Sequence, residues 1–395
     1  MAARQKRDYA KEASQRLQLT DDEELLLEQN LATFDEVLTR DPNILKLSTI
    51  DENLPANSPY RKSETDVLEI FVRINREGTP LSRSDLIFSM LKLNWKESAE
   101  GLPEFVDAIN QGNSFDLDTD FVVRCLFAVS DLGGRLDLDL LRNRRNMVAL
   151  QANFAKCRDA IRATVDFVRR ECRCDSSGLL GSSNVLVPFV YYFFHLPKHD
   201  VPNDQVNDVR TAVYLLGLAQ PFTRYSESRI STFLRSHLQP LASQGNRKFP
   251  LHAAIDRIRR WEKVQSLNDL AQSNVHLTLH LIQGLSGAHV QYKRNTPEVD
   301  HIFPRSELRK RKVDEDLIND LANFWILTQG KNRNKSNRKP SDFFADVTSR
   351  QLKDALIDPE LLDYRQYQEF IGARRAAMIE RLGTLLGVSD TDLTG

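Results

Sequence analysis

Asp300 and His301 stand side by side in the hexapeptide VDHIFP, Asn323 opens the run NFWILT, and Asn332 lies in the basic segment GKNRNKSNRKP. A carboxylate, an imidazole and two carboxamides in this order are the parts needed to hold one divalent cation on a phosphodiester. The oxygens are hard donors suited to Mg²⁺ or Mn²⁺. His301 would serve as the general base that activates water, while a cation would stabilise charge building on the phosphate and leaving group. Singly these residues say little: an Asp-His pair is commonplace, and an Asn- and Lys-rich segment is usually a solvated loop. Their joint order carries the reading.

The flanking residues supply the elements that would position them. Phe324-Trp325-Ile326-Leu327-Thr328 is rich in the aromatic and β-branched types that favour strands. The spacing predicts a strand at Asp300-His301, a long loop, a second strand led by Asn323, and a helix. Asn332 follows Asn323 by nine residues, enough to finish the strand and enter that helix. Lys331, Arg333 and Lys335, with Arg338 and Lys339 beyond them, surround Asn332 as a phosphate-facing helix entry requires.

This constellation resembles the HNH, or ββα-metal, nuclease motif, and in particular the version at the C-terminus of GmrSD-type restriction endonucleases and in CRISPR effector nucleases. The resemblance implies that Asp300 and Asn332 are the two protein metal ligands and that His301 is the general base. It implies that Asn323 is the middle Asn, which ties the loop together and helps to orient the histidine. Asn334 and Asn337 lie close to Asn332; register favours Asn332 as the ligand, with Asn337 next.

Composition bounds the remainder. The chain has 395 residues, long enough for two or three domains, with 54 basic and 55 acidic side chains. From Lys293 to Pro340, however, 12 basic residues face 7 acidic ones, a local net charge of +5 that suits nucleic acid approaching one face. The run Arg309-Lys310-Arg311-Lys312 reads equally well as a solvated loop offset by Asp314-Glu315-Asp316. Four cysteines make neither a disulfide framework nor a zinc site, since Cys172-x-Cys174 lacks a second pair. The longest apolar run, Val185 to Phe194, is interrupted by Pro188 and too short to span a membrane, and Met1 to Leu17 has charges scattered throughout. A soluble, cytoplasmic protein with no membrane association is expected.

Along the chain, Asp21 to Leu38 has apolar residues at helical spacing, and residues 51–59 read as a Pro- and Asn-rich linker. Phe71 to Ser82, FVRINREGTPLS, followed by an apolar helix, looks like a hallmark of the ParB-like domain that GmrSD proteins carry ahead of the nuclease. There Ser82 and Asp85 read as a helix N-terminus, and Arg73 and Asn75 as structural residues or phosphate contacts. From Phe121 to about Ile258 a succession of amphipathic helices is expected. Ser176 to Ser183 reads as a Gly/Ser loop, and Pro240 to Pro250 as a separator from the nuclease region. His276 and His280 would share one helix face in packing or surface roles, because the segment HLTLH lacks the glutamate of a zinc-protease helix. Tyr364 to Leu386 reads as a terminal helix, which by the same resemblance covers the nuclease core.

The expected fold is mainly α with a small C-terminal α+β HNH (ββα-metal) nuclease domain. Three regions are expected: residues 1–63, an N-terminal helical segment and linker; 64–262, a helical domain resembling the later part of the ParB-like domain; and 263–395, the nuclease domain with its C-terminal helix. The expected function is metal-dependent hydrolysis of DNA in restriction or anti-phage defence against foreign or modified DNA. A non-catalytic DNA-binding or regulatory subunit and an RNA-cleaving nuclease are the alternatives. The chain holds no Asp-Gly-Gln-Gln-Arg motif, which the resemblance links to nucleotide hydrolysis and modified-DNA sensing; beside DNA, either a partner chain supplying that module or a truncated or divergent protein is expected.

Overall fold

The computed structural model describes residues 12–40, 83–95, 98–284, 298–327 and 338–394, together with 54–55, 57–58, 60–62, 66–67 and 70. The segment Phe71 to Ser82, with Arg73 and Asn75, lies outside the described residues. The chain divides into two compact units, residues 1–78 and 79–395. In the first, helix α1 (Asp21–Arg40) begins with four consecutive acidic residues, which favour the positive end of a helix dipole. Glu23 reaches back to accept from the backbone N–H and hydroxyl of Thr20.

The second unit starts with α2 (Arg83–Asn94) and α3 (Ser98–Ile109), which lead into α4 (Thr119–Val129). Every residue of α4 from Phe121 to Val129 is buried, as expected of a helix that is apolar on all sides. It packs with α5 (Arg144–Arg170) and α6 (Val187–His195) to form the centre of the helical body. The one basic residue of α4, Arg124, donates to the Gly134 carbonyl at 2.7 Å and to Asp120, in the first turn of the same helix, at 3.0 Å. Ser176 to Ser183 departs from the expected loop. Its serines nucleate short helical turns, Ser176 Oγ capping the N–H of Gly178 and Ser182 Oγ that of Asn184.

Helix α7 (Val206–Ala219) joins this body to the C-terminal helices, packing on α8 (Leu251–Glu262) and α9 (Leu267–Ser273). The expected separator at Pro240 to Pro250 is partly helical, since Gln239–Ser243 continues the preceding helix before the chain opens out. Next comes α10 (Val275–Leu279), and Gly217 lets it approach α7: a Cβ there would lie 2.8 Å from a Leu277 methyl. Buried Asn274 secures this junction, donating to the carbonyls of Leu179 and Gly217 at 2.8 and 2.9 Å. His276 and His280 do not share a face. His276 is exposed, whereas His280 is buried and bonded to the Arg173 carbonyl, because the winding changes from α to π at His280–Gly284.

Strands β1 (Glu298–His301) and β2 (Phe324–Leu327) pair antiparallel, with His301 opposite Phe324. The connection between them carries short helices α11 (Arg305–Lys310) and α12 (Glu315–Ile318). After β2 the described chain resumes with α13 (Pro340–Phe344) and α14 (Ser349–Asp354). The long helix α15 (Tyr367–Leu386) follows, whose first expected turn, Tyr364–Gln366, is a 3₁₀ segment, and a short helix, Asp390–Thr394, closes the described chain. The fold is mainly helical, and β1 and β2 form the sheet among the described residues. Among those residues no helix is long and apolar enough to cross a membrane.

Candidate active site

Two strands of four residues cannot hold a rigid site alone, so other elements must brace them. The apolar brace is aromatic. Phe303 is fully buried, with its ring 5.0 to 5.6 Å from those of Tyr364, Tyr367 and Phe370. On β2, Trp325 packs on Phe344 and Phe343 at 4.7 and 5.8 Å.

The polar brace uses side chains that bond to backbone. Asn323, fully buried, accepts from the Phe303 N–H at 2.9 Å and donates to the Ile318 carbonyl at 2.9 Å. Its own carbonyl accepts from the Ile302 N–H at 2.6 Å. One residue thus closes the long connection between the strands immediately after His301. Gln283, from the π segment, accepts the Ile326 N–H at 3.0 Å and so binds β2 to the helical body. Arg374 of α15, 2% exposed, donates to the carbonyls of Ala322 and Phe324 at 2.5 and 2.7 Å and twice to that of Ala355. Burial pushes its pKa down to about 9, which leaves it charged at neutral pH. Beside it, Arg375 pairs with Asp320, and the Tyr367 hydroxyl donates to the Leu317 carbonyl at 2.7 Å.

This frame presents Asp300 and His301 at the end of β1, both half-buried. The imidazole packs on its cross-strand neighbour Phe324 at 4.6 Å between ring centroids. Its Nε2 faces the Oδ1 of Asn319 at 3.3 Å. Asn319, the residue that follows α12, escaped sequence reasoning because nothing in LINDLAN marks it apart from Asn323. The basic run nearby is mostly engaged: Glu315 pairs with Arg305 and Arg309, and Glu307 with Lys310 and Arg311. The Arg309 and Arg305 guanidiniums hold the Glu315 carboxyl down at about 2.

The structure therefore brings Asp300, His301 and Asn323 together on one ββ frame. Asn332, the expected second ligand, and Lys331, Arg333 and Lys335 lie outside the described residues, as do Asn334 and Asn337. Among the described residues no three His, Cys, Asp or Glu side chains cluster as a metal cage.

Comparison with curated proteins gives no match. A family model, the C-terminal domain of GmrSD restriction endonucleases, matches residues 242–381, a span from the end of the helical body to within α15 that contains both strands and the residues that brace them. Residues 242–381 of this chain are accordingly similar to the C-terminal domain of GmrSD restriction endonucleases.

Proposed function

We propose that this domain is a metal-dependent HNH-type endonuclease that hydrolyses DNA phosphodiesters, in restriction or anti-phage defence against foreign or modified DNA. The observation that carries the reading is the placement of His301 at the open end of β1, in a connection closed by Asn323, within a matched restriction-endonuclease domain. An imidazole has an unperturbed pKa near neutrality and can take a proton from water at working pH. Phe324 against the ring and Asn319 at Nε2 limit its rotation, so the base is oriented before substrate arrives.

Asp300 supplies a half-exposed, hard carboxylate oxygen beside that base, a donor that fits Mg²⁺ or Mn²⁺. Asn332 is the proposed second ligand through its carboxamide oxygen. When bound, such an ion supplies positive charge next to the scissile phosphate. Lys331, Arg333 and Lys335 are the proposed contacts to flanking phosphates, where positive charge gives affinity without sequence information. A partner chain carrying the sensing and nucleotide-hydrolysing module is the proposed complement to this chain.

The test is plasmid cleavage with Mg²⁺, Mn²⁺ or EDTA, on modified and unmodified DNA, beside His301→Ala. Metal-dependent nicking that disappears in a variant with an unchanged melting profile is the expected result. Cleavage at the wild-type rate by His301→Ala would remove this residue from the mechanism.

A further inference from the structure

In the helical body, away from the strands, a cavity of about 930 Å³ opens between residues 131–140 and residues 225–239. Two bonds join its walls: the Gly134 N–H donates to Ser231 Oγ at 2.8 Å, and the Gln239 amide donates to Asp131 at 2.9 Å. Its size suits a small organic group such as a nucleotide. At the rim Tyr225 is 77% exposed. Its backbone is left-handed, with φ 53°, which bulky residues rarely adopt. It fills the N-cap position of the helix Ser226–Phe233 but makes no side-chain capping bond, where Asn would suit both the backbone and the cap. The ring is nevertheless held in place. The Arg229 guanidinium lies over it at 5.6 Å and over the Trp261 ring at 5.3 Å, and Arg257 lies over Trp261 at 5.5 Å. Arg229 is fixed in turn by the Pro221 carbonyl at 2.8 Å and by Glu262. A ladder of guanidiniums and rings thus ends in a phenol ring open to solvent.

The charges that line the cavity divide into two kinds. The carboxylates are engaged: Asp131 accepts from the Tyr191 hydroxyl at 3.0 Å as well as from Gln239, Asp137 accepts from the Asp139 N–H, and Glu227 lies 3.7 Å from buried Arg124. Two exposed guanidiniums, Arg135 and Arg235, have no carboxylate partner among the described residues. We propose that this cavity binds one unstacked nucleotide of a single DNA strand, with the base stacked on Tyr225 and the flanking phosphates on Arg135 and Arg235. The choice of DNA rests on the proposed nuclease function, to which the cavity adds a second grip on the strand. Every base has a π face, so such a platform holds a strand without reading its sequence. A base inside a duplex is covered on both faces by its neighbours, so the ring serves a strand that is already unpaired or a base that has been turned out.

The experiment uses the full chain and a labelled oligonucleotide of about ten thymidines, one base replaced by 5-iodouracil, with EDTA present so that binding is read without cleavage. Fluorescence anisotropy gives the affinity, and irradiation followed by peptide mass spectrometry locates the stacked base. The wild type is expected to crosslink through the peptide that carries Tyr225. Tyr225→Asn is expected to lose that crosslink and to bind about tenfold more weakly, while melting at or above the wild-type temperature because Asn suits the left-handed cap. Arg135→Gln is expected to flatten the slope of log K against log salt by about 0.7, the share of one phosphate on a single strand.

Unchanged affinity in Tyr225→Asn, crosslinks confined to residues 293–340, or no binding by the wild type overturns the proposal. A lowered melting temperature in Tyr225→Asn would make the tyrosine a structural residue and overturn it too. Displacement of the oligonucleotide by thymidine 5′-phosphate at equal nucleotide concentration would assign the cavity to a free nucleotide instead of a strand. Plasmid cleavage is read separately. A wild type that never cuts but crosslinks through Tyr225 loses the nuclease function and keeps this site; one that cuts with metal but does not crosslink there loses the site and keeps the nuclease.

Discussion

Replacing Asn323 by alanine is expected to lower the stability of the C-terminal domain by about 2–4 kcal/mol, and the estimate follows from three hydrogen bonds. Oδ1 accepts from the Phe303 N–H at 2.9 Å, and Nδ2 donates to the Ile318 carbonyl at 2.9 Å and more weakly to the Phe303 carbonyl at 3.4 Å. All lie where water does not reach, since Asn323, Phe303 and Ile318 are fully buried. Truncation leaves the Phe303 N–H and the Ile318 carbonyl without these bonds, each loss costing about 1–3 kcal/mol, and removes the weaker bond to the Phe303 carbonyl; part of this is recovered where the site relaxes. Asn323→Asp sharpens the test. It keeps the bond from Phe303 but turns a donor into an acceptor facing two carbonyls. Burial raises the folded-state pKa of the introduced carboxyl above its unfolded value of about 3.9. The folded state then holds more protons than the unfolded one, so stability falls as pH rises from about 4 through that raised value. Urea titrations of both variants at several pH values between about 4 and 7.5, followed by circular dichroism and tryptophan fluorescence, provide the check. A loss under about 0.5 kcal/mol in the alanine variant, or a pH-independent penalty in the aspartate variant, would refute the claim that Asn323 closes the connection.

Arg374→Met fills similar volume but removes every donor to the Ala322, Phe324 and Ala355 carbonyls, and should cost about 3–5 kcal/mol in chemical denaturation. Burial lowers the His280 pKa below its ordinary value. The folded state therefore favours the neutral ring, and the contribution is complete above the unfolded pKa of about 6.5 and lost as pH falls below it. Thermal melts between about pH 7.5 and 5 should show a drop that His280→Gln flattens. Thr348 makes a reciprocal cap with Gln351 at the start of α14, so Thr348→Ala should cost about 1 kcal/mol without affecting the strands.

The strands were legible because their residues are of kinds that sequence alone distinguishes: the aromatic and β-branched run after Asn323 has no alternative use as short and apolar as this one. Asn323 was legible too, through a motif in which its place is fixed by its neighbours. Asn319 was not, since its role depends on α12 returning the chain to His301, a tertiary fact with no local signature. Arg374 is a sharper case. It stands beside Arg375 in GARRAAM, and only packing makes one the buried donor to three carbonyls and the other a half-exposed partner of Asp320. Asn274, Gln283, Asn323 and Arg374 share one pattern: each is a buried polar side chain bonded to backbone groups at a junction with α7, β2 or the connection between strands. A two-stranded sheet with four residues per strand buries too little surface to persist by itself. Here side chains from the π segment and α15 take the place that neighbouring strands occupy in a larger sheet, satisfying backbone groups at its margins. The rigidity of the frame around His301 is therefore built outside the motif, in residues whose types alone look unremarkable.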